Sequence, residues 1–210
     1  MCSSDLVVVD VAGFQGMVDA IGGVQVCIPE TIDDRAHGIY LPAGTRKLEG
    51  RQALNYVRER YAVSGGSDVG RMKRQQAFVA SMAHAVLSSG TLSRPDRIAS
   101  FLDAATKSLT VDKGLSSLFK LGQLAQDFSG IGMDQIRFIT IPNTVDPQDP
   151  NHLVWTPAAD SVWTALRNDD PLPRRLSAGA ISADNVPDGS GSTTRDASKT
   201  AELRDAGLCA

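Results

Sequence analysis

Residues 6-LVVVDVAGFQGMVDAIGGVQVCI-28 decide the fold class. The run 6-LVVVDV-11 is apolar, β-branched and of strand length. Strands buried on both faces read this way, as in the interior of an α/β sheet. In 13-GFQGMVDAI-21 the apolar residues Phe14, Met17, Val18 and Ile21 fall at helical spacing. Gly22 and Gly23 end that helix by permitting positive φ. A second strand follows in 24-VQVCI-28, stopped by Pro29. Strand, helix, strand is the signature of layered α/β structure.

Working outward, residues 30 to 49 are polar and irregular. Ile39–Leu41 and Arg46–Leu48 flank 42-PAGT-45, which predicts a small hairpin turning on Pro42 and Gly44. Gly50 to Val57 reads as a short helix with Ala53, Leu54 and Val57 inward. A longer helix runs from about Val69 to Leu87, with Met72, Val79, Met82 and Val86 on one stripe, widened by Phe78 and Ala85. Pro95 opens the next helix, with Ile98, Phe101, Leu102, Ala105 and Leu109 on its face. Asp112 can cap another, apolar from Leu115 to Phe128 over an arc wide enough to suggest a groove wall as well as core. Gln135–Ile141 reads as a strand and 153-LVW-155 as an edge strand. Thr156 and Pro157 open a last helix packed by Val162, Trp163 and Leu166. Leu6–Val11, Val24–Ile28 and Gln135–Ile141 are expected in one sheet.

We place a first domain at 1–171 and a low-complexity tail or incomplete extension at 172–210. The tail is rich in Pro, Ser, Gly, Asp and Thr. From about Arg174 it is expected to pack poorly, because Leu176, Ile181 and Val186 stand isolated and offset little ordering entropy.

Composition narrows the function. At 42% hydrophobic residues the chain has the material for an ordinary core. A net charge of −3 gives no global basic field, and no basic recognition helix is visible, so nucleic acid is not the expected partner. No run of about 18 apolar residues would span a bilayer, and no signal peptide is visible. The cysteines, Cys2, Cys27 and Cys209, fit no metal spacing. Cys27 and Cys209 are a candidate disulfide in an oxidising compartment, against two unpaired thiols.

The chemistry concentrates in 56-YVRERYAVSGGSDVGRMKRQQAF-78. Arg58 and Arg60 lie two apart, on the same side of an extended segment; Arg71, Arg74 and Gln75 open a helix at i, i+3 and i+4. Four guanidiniums and an amide can converge across the Gly/Ser loop. Guanidinium grips phosphate oxygens in a bidentate fork, and four of them suit a diphosphate. Glu59 and Asp68 sit among them, and a solvated ion-pair face is the alternative. In the convergent arrangement Glu59 points away from the cleft. His37, His84 and His152 stand alone and read as surface or packing residues.

The segments 13-GFQGMVDAIGGVQV-26, 48-LEGRQALNYVRER-60, 67-SDVGRMKRQQ-76 and 139-ITIPN-143 resemble the LytR-CpsA-Psr family, from about Leu6 to about Asp170. The resemblance implies a mixed β-sheet packed between α-helices, an αβα sandwich. It implies a phosphotransferase that moves a glycopolymer from a polyprenyl-diphosphate carrier to peptidoglycan during cell-wall assembly, at the extracytoplasmic face of the membrane. Arg58, Arg60, Arg71, Arg74 and Gln75 match the diphosphate-binding positions. Asp68, with Arg58 and Arg60, is assigned to catalysis, either orienting an arginine or assisting proton transfer; otherwise the base lies outside the chain. Mg²⁺ is the implied cofactor. An apolar groove beside the cleft, walled by the helices after Val69, is expected to take the lipid tail. The family's membrane helix and metal-binding aspartates lie upstream of anything matched here, so the chain reads as an N-terminally truncated fragment with no metal ligands of its own. The rival readings are a polyprenyl-diphosphate hydrolase and a non-catalytic lipid-diphosphate binder of the transcriptional-attenuator kind.

Overall fold

The computed structural model describes residues 7–62, 68–88, 94–111, 132–177, 180–184, 186, 203, 208 and 209. Helices and strands alternate along the chain, so the α/β class holds.

The strand β1 is shorter than the sequence suggests, Val7–Val9. Asp10 ends it by turning into a cap: its carboxylate accepts the Gly13 N–H at 2.7 Å, and helix α1 runs Val11–Ala20. Met17, Val18 and Ile21 are buried as the periodicity requires. Gly22 and Gly23 turn the chain with φ of 79° and 94°.

The next region is a nested hairpin. The outer ladder pairs β2 (Val24–Ile28) with β5 (Gly44–Leu48), antiparallel, from Val24 opposite Leu48 to Ile28 opposite Gly44. The inner ladder pairs β3 (Ile32–Asp34) with β4 (Ile39–Leu41). Pro29 and Pro42 stand where one ladder gives way to the other; neither has an N–H for a rung. So Ile39–Leu41 and Arg46–Leu48 do not pair with each other as expected. The tip is the one-turn 3-10 helix Arg35–His37, closed by Gly38 at φ 68°.

Helix α2 (Gly50–Arg58) follows directly. Asp19 of α1 caps it from outside, accepting the Gly50 N–H at 2.8 Å. Helix α3 (Asp68–Leu87) lies against α2 and β2. Its buried face is Gly70, Arg74, Ala77, Phe78 and Ser81, while Met72 and Val79 face outward. The apolar stripe is met in part: Phe78, Met82, Ala85 and Val86 pack on the core, while at the helix start Arg74 is drawn inward by the end of α2. Helix α4 (Pro95–Ser108) packs on α1. It stops before Leu109, which opens β6 (Leu109–Val111) against β1.

A 3-10 turn at Met133–Gln135 leads into β7 (Arg137–Phe138). The hairpin β8 (Asn143–Val145) and β9 (Leu153–Trp155) precedes α5 (Ala159–Asn168). That helix buries Ala159, Val162 and Ala165 and leaves Leu166 exposed. A single turn, α6 (Arg174–Ser177), and β10 (Ile181–Ser182) complete the described elements. Among the described residues the strands form five two-stranded antiparallel pairs. The sheet expected to join β1, β2 and β7 is not formed: their rungs go to β6, β5 and β10 respectively. Each short strand finds its own antiparallel partner, and the helices pack on these pairs.

The main core joins α1, the nested hairpin, α2 and α3 through Val18, Val24, Ile28, Leu48, Tyr56 and Phe78. Among the described residues of the tail, a second cluster runs against the expectation of poor packing. Ile181, Leu203 and Leu208 are buried with Ala77 and Ala80 of α3. His84 hydrogen-bonds through Nδ1 to the Ala183 carbonyl at 2.8 Å. Cys209 is joined to Cys27 of β2 in a disulfide, with Cα atoms 5.6 Å apart. Isolated apolar residues in a polar tail suffice because a pre-formed helix face and a covalent link receive them. The sequence-predicted helix Asp112–Phe128 lies outside the described residues, and the expected groove wall with it.

Candidate functional site

Helix α2 delivers Arg58 as its last residue, and Glu59 leaves the helix with extended ψ of 134°. The chain between Arg58 and Arg60 is thus a helix exit, not a strand, and side-chain alternation does not apply. Glu59 turns inward, the reverse of the sequence expectation, and is 1% exposed. Its Oε1 accepts the backbone N–H of Tyr61 at 2.6 Å and of Ala62 at 2.9 Å, which fixes the turn.

The start of α3 closes over this exit. A helix C-terminus leaves carbonyls without intrahelical donors. Gln75 Nε2 donates to the Val57 carbonyl at 3.0 Å, and Arg74 Nη2 donates to the Glu59 carbonyl. A guanidinium also complements the negative end of the α2 dipole. Arg74 is 1% exposed and within electrostatic reach of Tyr56 and Glu59, the latter lining the cavity beside it. Burial and the charge of Arg71 push it below the usual guanidinium range, against the pull of Tyr56 and Glu59. Burial likewise pushes the Tyr56 phenol up to about 12, opposed by Arg74.

That cavity measures about 550 Å³. Arg58, Arg60, Arg71 and Gln75 line it from α2, the exit turn and α3. Three of the four arginines expected to converge do so, with the amide. Arg74 does not line it; its guanidinium holds the Glu59 carbonyl instead. Asp68, the first residue of α3, is an organiser: its Oδ1 lies 3.3 Å from Arg60 Nε and 3.0 Å from Arg71 Nη2. Arg60 also lies over the Tyr61 ring, 5.9 Å from its centroid. Arg58 makes no ion pair among the described residues.

Another part of the lining comes from the tip of the nested hairpin, which the sequence reading does not mark as functional. Asp34, His37 and Ile39 line the cavity. Asp34 caps the 3-10 turn, accepting the His37 N–H at 3.1 Å through Oδ1, while Oδ2 meets His37 Nδ1 at 2.6 Å. Burial pushes the Asp34 carboxyl up, but the His37 side chain, its N–H and charge, and the Glu59 carboxyl outweigh this and hold it below the usual carboxylate range. The Tyr61 ring stacks on the imidazole, centroids 5.6 Å apart and planes at 8°. The signal was present in 34-DRAHG-38: a capping Asp, a His three residues on and a closing Gly describe a one-turn helix that folds the His back on the Asp. His84 and His152 stay outside the cavity, as expected of packing and surface residues.

Among the described residues no three His, Cys, Asp or Glu side chains are placed to hold a metal. Asp34, Glu59 and Asp68 are engaged by an imidazole, by two backbone N–H groups and by two guanidiniums respectively. These carboxylates do not make up a Mg²⁺ site.

The LytR_cpsA_psr family profile matches residues 3–168. The cell wall biosynthesis protein LcpA of Corynebacterium glutamicum is 38% identical over 136 residues, covering 65% of this chain and 25% of LcpA. The Bacillus subtilis polyisoprenyl-teichoic acid–peptidoglycan teichoic acid transferase TagV is 27% identical over 135 residues, covering 62% of this chain and 34% of TagV. The chain thus spans a quarter to a third of the length of these relatives. In fold it is similar to the LytR-Csp2A-Psr enzyme of Actinomyces oris, with a TM-score of 0.57 at 23% identity over 77% of this chain and 62% of that one. It is similar also to the crystal structure of TagV, at 0.55 and 23% over 80% and 65%. At such identities the structures speak to the fold alone, and with it the profile and the relatives agree: the chain belongs to the LytR_cpsA_psr family.

Proposed function

We propose that this chain carries the diphosphate-binding part of a cell-envelope phosphotransferase, which passes a glycopolymer from a polyprenyl-diphosphate carrier to peptidoglycan. The observation that carries it is the cavity wall: three guanidiniums and a carboxamide face one space of about 550 Å³. Bringing like charges together is unfavourable unless an anion lies between them. Asp68 offsets part of that charge for Arg60 and Arg71, and the Asp34 and Glu59 carboxylates line the same space, while Arg58 makes no ion pair among the described residues. A diphosphate supplies several acceptor oxygens, and the volume suits a headgroup of that size.

Phosphoryl transfer develops charge on the oxygens around phosphorus. Fixed cations that need no reorganisation stabilise it. Arg58, Arg60 and Arg71 fill that role. The names of the relatives support a cell-wall cargo and a peptidoglycan acceptor. The Cys27–Cys209 disulfide supports an oxidising, extracytoplasmic compartment. No described helix is long and apolar enough to cross a membrane. The membrane attachment we propose is a helix encoded upstream, which the reading frame before Met1 would reveal.

The test is a transfer assay on the chain in its full reading frame, with a lipid-diphosphate-linked oligosaccharide as donor and product analysis with and without peptidoglycan. Covalent glycan–peptidoglycan product supports the reading. Free glycan phosphate in both arms would make the protein a hydrolase. Binding without turnover would make it a binding module.

A further inference from the structure

We propose that His37 is the residue that takes the proton from the acceptor hydroxyl, with Asp34 positioning it; this rests on the transfer reading above. The cleft needs such a group, and Asp68 is poorly suited, since Arg60 and Arg71 share its Oδ1. His37 differs in every respect that matters. Its ring lines the same cavity as the arginines. Its Nδ1 is held by Asp34 Oδ2 at 2.6 Å, and Nε2 has no hydrogen-bond partner among the described residues. With Nδ1 as the donor, Nε2 carries the lone pair.

Capping alone explains Asp34 Oδ1, which holds the His37 N–H, but not the second contact through Oδ2. Asp34 is 9% exposed, while the His37 side chain is 58% exposed and so open to an arriving acceptor. The Tyr61 ring, stacked on the imidazole, fixes the plane in which Nε2 lies. A carboxylate, an imidazole oriented through Nδ1 and a lone pair on Nε2 form the base half of a hydrolase triad, here facing guanidiniums.

The acceptor hydroxyl oxygen forms a bond to the phosphorus that bears the glycan. The bond from that phosphorus to the bridging oxygen breaks, and polyprenyl monophosphate leaves with the electron pair. The hydroxyl proton passes to His37 Nε2, and the Asp34 carboxylate balances the imidazolium until solvent removes the proton.

The test uses the full chain. H37Q keeps polarity and size but accepts no proton. It is expected to lower kcat by about 10²–10⁴-fold, with the KM for donor and the affinity for geranylgeranyl diphosphate within about threefold of the parent. H37A is expected to regain activity with added imidazole. D34N lets an amide donate to Nδ1 and leaves Nε2 protonated, for a loss of at least about tenfold. The pH–rate profile of the parent should show an acid limb that H37Q lacks. The charged and titratable groups around the ring are Asp34, Glu59, Arg58, Arg60, Tyr61 and Arg71, and all of them remain in H37Q. H37Q with a kcat within about threefold of the parent, or with the acid limb retained, would overturn the assignment of His37 alone. A parent that neither binds the diphosphate nor transfers would overturn the transfer reading and this one together.

Discussion

Arg74 and Arg71 lie three residues apart on one helix, yet their substitution should have opposite consequences. Arg74 is 1% exposed, donates to the Glu59 carbonyl and lies beside a Glu59 side chain that is itself 1% exposed. Arg74→Met keeps much of the volume. It removes the buried donor and leaves the Glu59 carbonyl without its partner. Leaving a buried acceptor unsatisfied in this way costs about 1–3 kcal/mol, a sizeable share of the roughly 5–15 kcal/mol that holds a domain together. Arg71 is 34% exposed in its side chain, and its ion pair with Asp68 is of the surface kind, worth about 0–1 kcal/mol. Arg71→Ala should therefore leave stability nearly intact. It should weaken a diphosphate, since a charged hydrogen bond contributes about 1.5–3 kcal/mol, or roughly ten- to a hundredfold in affinity. Urea unfolding followed by circular dichroism, and titration with geranylgeranyl diphosphate, read the two effects separately. Arg74→Met losing less than about 1 kcal/mol, or Arg71→Ala binding as the parent does, would refute this division of labour.

Three further outcomes follow from the packing. Tyr56 is buried with its phenol raised to about 12. The folded chain thus keeps a proton that the unfolded chain releases near 10, and stability should fall by about 3 kcal/mol as pH rises from about 10 to about 12. Denaturation at stepped alkaline pH should show that slope, and Tyr56→Phe should flatten it. Reducing the Cys27–Cys209 disulfide, which closes a separation of 182 residues, should cost about 2–5 kcal/mol and release the C-terminal residues to proteolysis. Gly23 has φ of 94°, and a Cβ there would lie 3.0 Å from the Leu48 carbonyl oxygen. Gly23→Ala should cost about 1–3 kcal/mol in thermal unfolding.

Much of the frame was legible in the residues. Met17, Val18 and Ile21 fixed α1, the paired glycines fixed its end, and Pro95 fixed the start of α4. What escaped was whatever depended on a partner far along the chain. Val7–Val9 looks like an inner strand, but its partner is Leu109–Val111, which the apolar pattern had extended from a helix. The nested hairpin escaped because Pro42–Thr45 has turn chemistry, yet the chain crosses there from one ladder to another. Local alternation put Glu59 outward; the Tyr61 and Ala62 N–H groups hold its carboxylate in, and the carbonyl left open at the end of α2 draws in Arg74. The arginine cluster was visible because its members are close in sequence. His37 and Asp34 were not, because the hairpin carries them to the cavity from about twenty residues away. Ile181, Leu203 and Leu208 were misread because composition says nothing of the α3 face and the buried cysteine that receive them.

The most direct test of the central claim is a calorimetric titration of the chain with geranylgeranyl diphosphate beside the corresponding monophosphate. If Arg58, Arg60 and Arg71 form a diphosphate clamp, the diphosphate should saturate one site per chain and bind at least about tenfold more tightly than the monophosphate. An Arg58→Ala/Arg71→Ala variant should lose that preference while unfolding at the same urea concentration. Equal affinity for the two lipids, or a preference that survives in the double variant, would contradict the clamp and return these arginines to a solvated ion-pair surface.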